Sequence, residues 1–231
     1  MSHCATSDIF SVTNMRKLIP LIFVVIGCSF GLGNLQSRHS ADLEARKIRR
    51  IAVVPPAVMA GATTQKIPFG TALEPPASER DAPESLVRFT YSALASLPNW
   101  QIVSENEVRE VGQSLPPGDA SRLKRIGEMV YADAVITARV QRFRERVGDE
   151  WGAKSPASVA FVLDLVDVRR GDVIWSAQFD ETQKSLSENI FAFGDIGSRG
   201  VRWLSADQLA QEGVKKAIGQ LHQIIARGPA S

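Results

Sequence analysis

Apolar residues recur along this chain in two rhythms, and the switches between them outline its elements. In "RRIAVVPP", Ile51, Ala52, Val53 and Val54 form a short unbroken apolar run between arginines and prolines, which predicts a buried strand. Residues 57–83 carry prolines and glycines in irregular order and predict a long loop. From Glu84 to Leu97, Leu86, Val87, Thr90, Tyr91, Leu94 and Leu97 fall at three- and four-residue steps, the spacing of an amphipathic helix with one core face; Pro98 stops it. "WQIVS" predicts a short strand. "SENE" then places Ser104 three residues before Glu107, a capping box that opens a helix through Val108, Val111 and Leu115. "LPPGD" breaks that helix, and a further one carries Leu123, Ile126, Gly127 and Val130.

Near Ala132 the period changes from helical to extended, and "YADAVITARVQRFRERVG" reads as a strand with an arginine-rich second half. "SVAFVLDLVDV" and "DVIWSAQFDETQ" are two further strands joined by "RRGD", a hairpin in which Gly171 supplies positive φ. In the second of them Val173, Trp175, Ala177 and Phe179 are expected on the core face. "SADQ" repeats the capping box with Ser205 and Gln208, and opens the strongest helical period of the chain, through Leu209, Val214, Ala217, Ile218, Leu221 and Ile225. The order is β-α-β-α-α-β-β-β-α: an α/β fold, a single domain with a mixed β-sheet flanked by helices, expected over residues 48–226 with a short tail at 227–231.

Composition changes this picture little. The chain has 231 residues with 44% hydrophobic and 23% charged residues and a net charge of +2, which suits one folded domain with flanking segments and does not suit bulk nucleic-acid binding. Its two cysteines, Cys4 and Cys28, both precede the patterned region, so a disulfide framework is excluded.

Ahead of the patterned region, "MRKLIPLIFVVIGCSF" sets Arg16 and Lys17 before nine residues, Leu18 to Ile26, interrupted only by Pro20. A spanning helix needs about 20 apolar residues, whereas a basic start, a short apolar run and small Gly27 form a secretory signal over residues 1–27. Met15 is an alternative start. "VIGC" resembles the lipobox of bacterial lipoproteins, which makes Cys28 the lipidated residue; several acyl chains on it, palmitate among them, would anchor the chain stably. Ser29, where that family uses Asp for inner-membrane retention, points to the outer membrane. Residues 28–47 are polar and glycine-bearing, and are expected to be a tether.

"RIAVVPP", "YADAVITARV" and "VDVRRGDVIWSAQF" resemble the corresponding steps of the envelope group that contains the TolB amino-terminal domain, CsgG and LpoB. More narrowly, "PASVAFVLDLVDVRRGDVIWSAQFDETQKSLSEN" looks like a family of uncharacterised proteobacterial outer-membrane lipoproteins. The resemblance spans roughly residues 48 to 225 and implies an α/β envelope domain. It also implies a role as adaptor, synthase activator or secretion subunit in place of catalysis.

Candidate chemistry is sparse. The three histidines, His3, His39 and His222, lie in the leader, the tether and the last helix, and assemble neither a catalytic triad nor a metal site. Asp164 and Asp167 are three apart on a strand and so face opposite ways. Arg170-Gly171-Asp172 reads as a hairpin turn. No catalytic residue, metal or cofactor is expected. Two segments are candidates for partner binding. One is Arg139, Arg142, Arg144 and Arg146 around Phe143, suited to an acidic partner or else solvated and paired with nearby acids. The other is residues 179–205, where Phe191, Phe193 and Trp203 interrupt a connection that would ordinarily be polar, either as an exposed docking surface or tucked under the last helix.

The expectation is a lipid-anchored protein on the periplasmic face of the outer membrane: a non-catalytic adaptor with a protein partner in envelope assembly, no nucleic acid, and room for oligomer formation. A subunit of a secretion or export assembly, and a hydrolase or ligand-binding enzyme with residues 57–83 as a lid, are the alternatives.

Overall fold

A computed structural model describes residues 34–56, 77–116, 121–183 and 203–227, all within one compact unit, residues 31–231. They form one mixed α/β domain. Its main sheet has six strands in the order β1-β8-β7-β4-β2-β3. These are β1 (Leu35–His39), β2 (Arg50–Val54), β3 (Gln101–Ile102), β4 (Ala134–Arg144), β7 (Ser158–Asp167) and β8 (Val173–Thr182). β2 runs parallel to β3 and β4, and the β4, β7, β8 and β1 neighbours are antiparallel. A second sheet is the small hairpin β5 (Val147–Gly148) and β6 (Ala153–Ser155). The helices are α1 (Ala77–Ala95), α2 (Glu105–Ser114), α3 (Arg122–Met129) and α4 (Ala206–Arg227).

Residue type decides which helices cover which face. β2 is apolar throughout because both its sides are buried: Ile51 and Val53 join the larger core, Ala52 and Val54 the smaller. The larger core packs α1 and α4, through Leu86, Leu94, Leu209, Val214, Ile218 and Leu221, onto Phe161, Leu163, Leu165, Trp175 and Phe179. The smaller packs α2 and α3, through Val108, Ile126 and Val130, onto Ala52, Val54, Val135 and Val168. On this second face the helices lie over β2 and the start of β4, and no described helix covers β8, β1 or the second half of β4.

Both capping boxes form. The Ser104 hydroxyl accepts from the Glu107 N–H at 3.3 Å, and Ser205 and Gln208 exchange backbone-to-side-chain bonds of 3.0 and 3.2 Å. Gly171 adopts φ 80° in the β7–β8 turn, where its N–H bonds the Asp167 carbonyl at 2.8 Å; the Arg-Gly-Asp tripeptide is this turn.

Three expectations are corrected. Residues 77–83 belong to α1 and not to a loop: Pro83 lies within the helix, and Ala82 and Leu86 bury one turn apart on its core face. Pro83 misled the sequence reading because its missing N–H removes only one helical bond while that face gains burial. The expected tether supplies an edge strand, β1, paired with β8 from Leu35 opposite Phe179 to His39 opposite Trp175. An edge strand needs only one partner, so its exposed side chains show no apolar period. Beyond it Leu43 is fully buried, and Arg46 bridges Asp42 at 2.6 Å and the buried Asp167; the Arg46 guanidinium holds the Asp42 carboxyl down at about 2. In β8 the expected alternation fails at its start: Val173 is exposed, and Ile174 and Trp175 are both buried. Val166 pairs with Val173 but Leu165 with Trp175, so Ile174 is an extra residue that breaks the alternation.

Candidate docking surface

The arginine-rich half of β4 is organised by a second irregularity. Val140 pairs with Phe161 and Arg142 with Ala160, leaving Gln141 as a bulge. Strict alternation would send Arg139 to one face of the sheet and Arg142 and Arg144 to the other. The extra residue resets the phase, so all three share a face with Ala160, Val162 and Asp164, while Phe143 turns inward to the larger core. Phe143 is therefore not interleaved among the arginines at the surface. This is the face that no described helix covers beyond the start of β4.

Cross-strand register extends the patch. Asp180 and Gln178 of β8 lie opposite Ala160 and Val162, and Gln36 and Arg38 of β1 lie opposite Gln178 and Ser176. Arg139 reaches Asp164 at 2.7 Å with its own side chain 68% exposed, while that aspartate is largely buried. Arg142 donates from Nε to the Ser158 hydroxyl at 2.7 Å and pairs with Asp180; Ser158 also meets the Thr182 hydroxyl at 2.6 Å. Arg144 and Arg38 are exposed and form no ion pair among the described residues. The patch is thus an ordered polar lattice with guanidinium groups outermost, fit to take carboxylate or phosphate oxygens in bidentate fashion.

Arg146 does a different job. Its guanidinium binds the Trp203 carbonyl, beside Glu145, whose carboxylate accepts from the Ala206 N–H at 3.1 Å. That N–H is one of the unpaired donors at the start of α4 and lies at the positive end of its dipole. Arg146 and Glu145 therefore clamp the entry of α4 to the end of β4. Trp203 is half-buried there, and its backbone N–H donates to the Glu150 carbonyl at 2.8 Å. Phe191 and Phe193 lie outside the described residues, as does Cys28.

Asp164 and Asp167 do face opposite ways. Asp167 accepts from the Arg170 N–H at 2.8 Å and from Arg46. His39 is exposed on β1, and His222 stacks edge-on against Trp100 with centroids 5.1 Å apart. Among the described residues no three His, Cys, Asp or Glu side chains form a metal-binding group, and no helix is long and apolar enough to cross a membrane. Sequence reasoning missed Arg38, whose place follows only from β1 pairing, and the exposed Val147 and Trp151 of the β5–β6 hairpin; the signal for the latter was Gly148 and Gly152 bracketing "DEW".

No protein-family model and no curated protein sequence matches the chain. Several solved structures are similar to it in outline. The PelC dodecamer from Paraburkholderia phytofirmans is 16% identical, over 81% of this chain and 95% of that one, with a TM-score of 0.44. The lipoprotein GNA1162 from Neisseria meningitidis is 18% identical, over 64% and 91%, with a TM-score of 0.38. The LpoB C-terminal domain from Salmonella enterica is 21% identical, over 42% and 67%, with a TM-score of 0.32.

Proposed function

We propose that the chain is a lipid-anchored envelope protein, held through Cys28 on the periplasmic face of the outer membrane, that acts without catalysis as an adaptor for an acidic protein partner. The observation that carries the reading is the bulge at Gln141, which turns Arg139, Arg142 and Arg144 onto one face, where no described helix covers them. A bulge costs a ladder bond and unpairs a residue, and such irregularities re-aim side chains where a surface is used. The guanidinium groups are pre-oriented: Asp164, Asp180 and Ser158 hold Arg139 and Arg142 by one edge, so little side-chain entropy remains to be lost on docking.

Two experiments test the two halves of the reading. Cys28→Ser should abolish acyl labelling and release the protein from the membrane fraction; unchanged labelling refutes the anchor. For the face, the lipidated protein is crosslinked in membranes beside an Arg139→Gln/Arg144→Glu variant, which leaves the Arg142 lattice intact. A partner crosslink lost in the variant, and weakened by salt in the wild type, supports the adaptor. Identical crosslinks from both proteins at all salt concentrations refute it.

A further inference from the structure

The pairing of β1 places the start of the described chain at one pole of the sheet. The Asn34 carbonyl accepts from the Asp180 N–H at 2.8 Å, near the end of β8. The same pole holds the end of β4, the start of β7 and, through Glu145 on Ala206, the start of α4. Cys28 precedes Asn34 by six residues, a reach of about 20 Å even when fully extended. The Cys28 lipid would therefore hold this pole, and not the opposite one, against the bilayer.

At this pole the chain between β4 and β7 forms the β5–β6 hairpin. Its turn is firmly built: the Asp149 carboxylate accepts from the Trp151 and Gly152 N–H groups at 2.9 and 2.7 Å, and Gly148 takes φ 111°. The Trp203 backbone N–H anchors the Glu150 carbonyl. On this ordered turn the Trp151 side chain is 72% exposed, with Val147 57% exposed nearby. The hairpin's acids are engaged: Glu145 at α4, Asp149 in the turn, and Glu150 with a partner of its own. Exposed Arg144 and Lys154 form no ion pair among the described residues. Trp151 lies nine residues before Ala160, the β7 residue level with Asp180, so the tip projects up to about 30 Å. The tether's reach of about 20 Å falls within that limit.

We propose that this hairpin is a membrane-interface foot: Trp151 and Val147 enter the headgroup region of the leaflet that holds the Cys28 lipid, with Lys154 against lipid phosphates. Tryptophan suits that boundary, having an apolar body and one N–H to hydrate, and long basic side chains keep their charge at headgroup level. The foot rests on the anchor reading. It also sets the arginine face of the sheet sideways to the bilayer, open to a partner.

The test uses lipidated protein reconstituted in phosphatidylethanolamine/phosphatidylglycerol vesicles, with and without acyl chains brominated near the headgroup. Bromine should quench part of the wild-type tryptophan emission, and Trp151→Ala should lose most of that quenchable part, since Trp175 is buried and Trp100 and Trp203 are half-buried. Val147→Asp, which keeps the reporter, should reduce the quenching. Equal quenching in wild type and Trp151→Ala while both proteins float with the vesicles overturns the foot and leaves the anchor standing. A Trp151→Ala change in oligomer mass without any quenching in the wild type overturns it in favour of a second copy as occupant. Absence of both acyl label and flotation overturns the anchor, and the foot with it.

Discussion

Two glycines of α4 make opposite predictions for one substitution. A Cβ added at Gly213 would lie 2.9 Å from three ring carbons of Phe179, whereas one at Gly219 would meet nothing within 4 Å. Phe179 cannot give way easily, being fully buried and stacked on Phe161 at 5.1 Å. Alanine relieves the helix-propensity penalty of glycine by about 1 kcal/mol at either site. At Gly219 that gain stands alone, so Gly219→Ala should stabilise by about 0.5–1 kcal/mol. At Gly213 overpacking of a filled core opposes it by about 1–3 kcal/mol, so Gly213→Ala should range from neutral to about 2 kcal/mol destabilising. The propensity gain cancels between the two variants, and their difference isolates the contact of α4 with the sheet. For a domain of this size about 1 kcal/mol moves Tm by about 2–4 °C, so thermal unfolding should separate the variants by about 2–12 °C, with Gly219→Ala the higher. Equal stabilisation in both would refute the close seating of α4 on Phe179, and with it the placement of the α4 N-terminus beside Glu145.

Two further outcomes follow from named groups. The Tyr91 phenol donates to the Val53 carbonyl at 3.3 Å, and burial, reinforced by Glu105, pushes its pKa well above the usual 10. The neutral form is the one the fold favours, so this contribution to stability is complete below pH 10 and is lost as pH climbs through the raised value. In a Tyr131→Phe variant, which leaves Tyr91 as the sole tyrosine, absorbance at 295 nm should stay flat through pH 10 in the folded protein and step there in denaturant; a step near 10 in both would contradict the burial. At the start of α4, Glu145→Gln keeps an acceptor for the Ala206 N–H but removes the charge from the helix dipole, and should cost about 0.3–1 kcal/mol in urea unfolding, less at high salt. No salt dependence would mean that the carboxylate acts there only by its hydrogen bond.

The elements carried by periodicity were legible before any tertiary contact. α2 and α4 begin at Ser104 and Ser205 because a hydroxyl three residues before Glu107 or Gln208 satisfies free N–H groups locally. β2 reads as buried on both faces because it is apolar at every core position. The β7–β8 hairpin is announced by the one residue able to take φ 80° cheaply, Gly171. What escaped the sequence lacked a local cause. β1 has a single strand partner and exposed side chains, so only the open edge of β8 makes "LQSRH" a strand. The exposed Val147 and Trp151 acquire meaning only once β1 places Asn34 at their pole.

The candidate site divides along the same line. The residue types of the arginine segment and its local density of charge were in the sequence. Whether Arg139, Arg142 and Arg144 meet was not, because one bulged residue inverts the face of everything after it, and Gln141 bears no mark that distinguishes it from its neighbours. The sequence alone determined the order of the elements other than β1 and the β5–β6 hairpin, the caps and the lipobox-like cysteine, since each shows as a pattern within a short stretch of residues. Register, bulge position and the shared pole of the hairpin and Asn34 were decided by the tertiary structure, because each is a choice between pairings that local propensity leaves equal in energy.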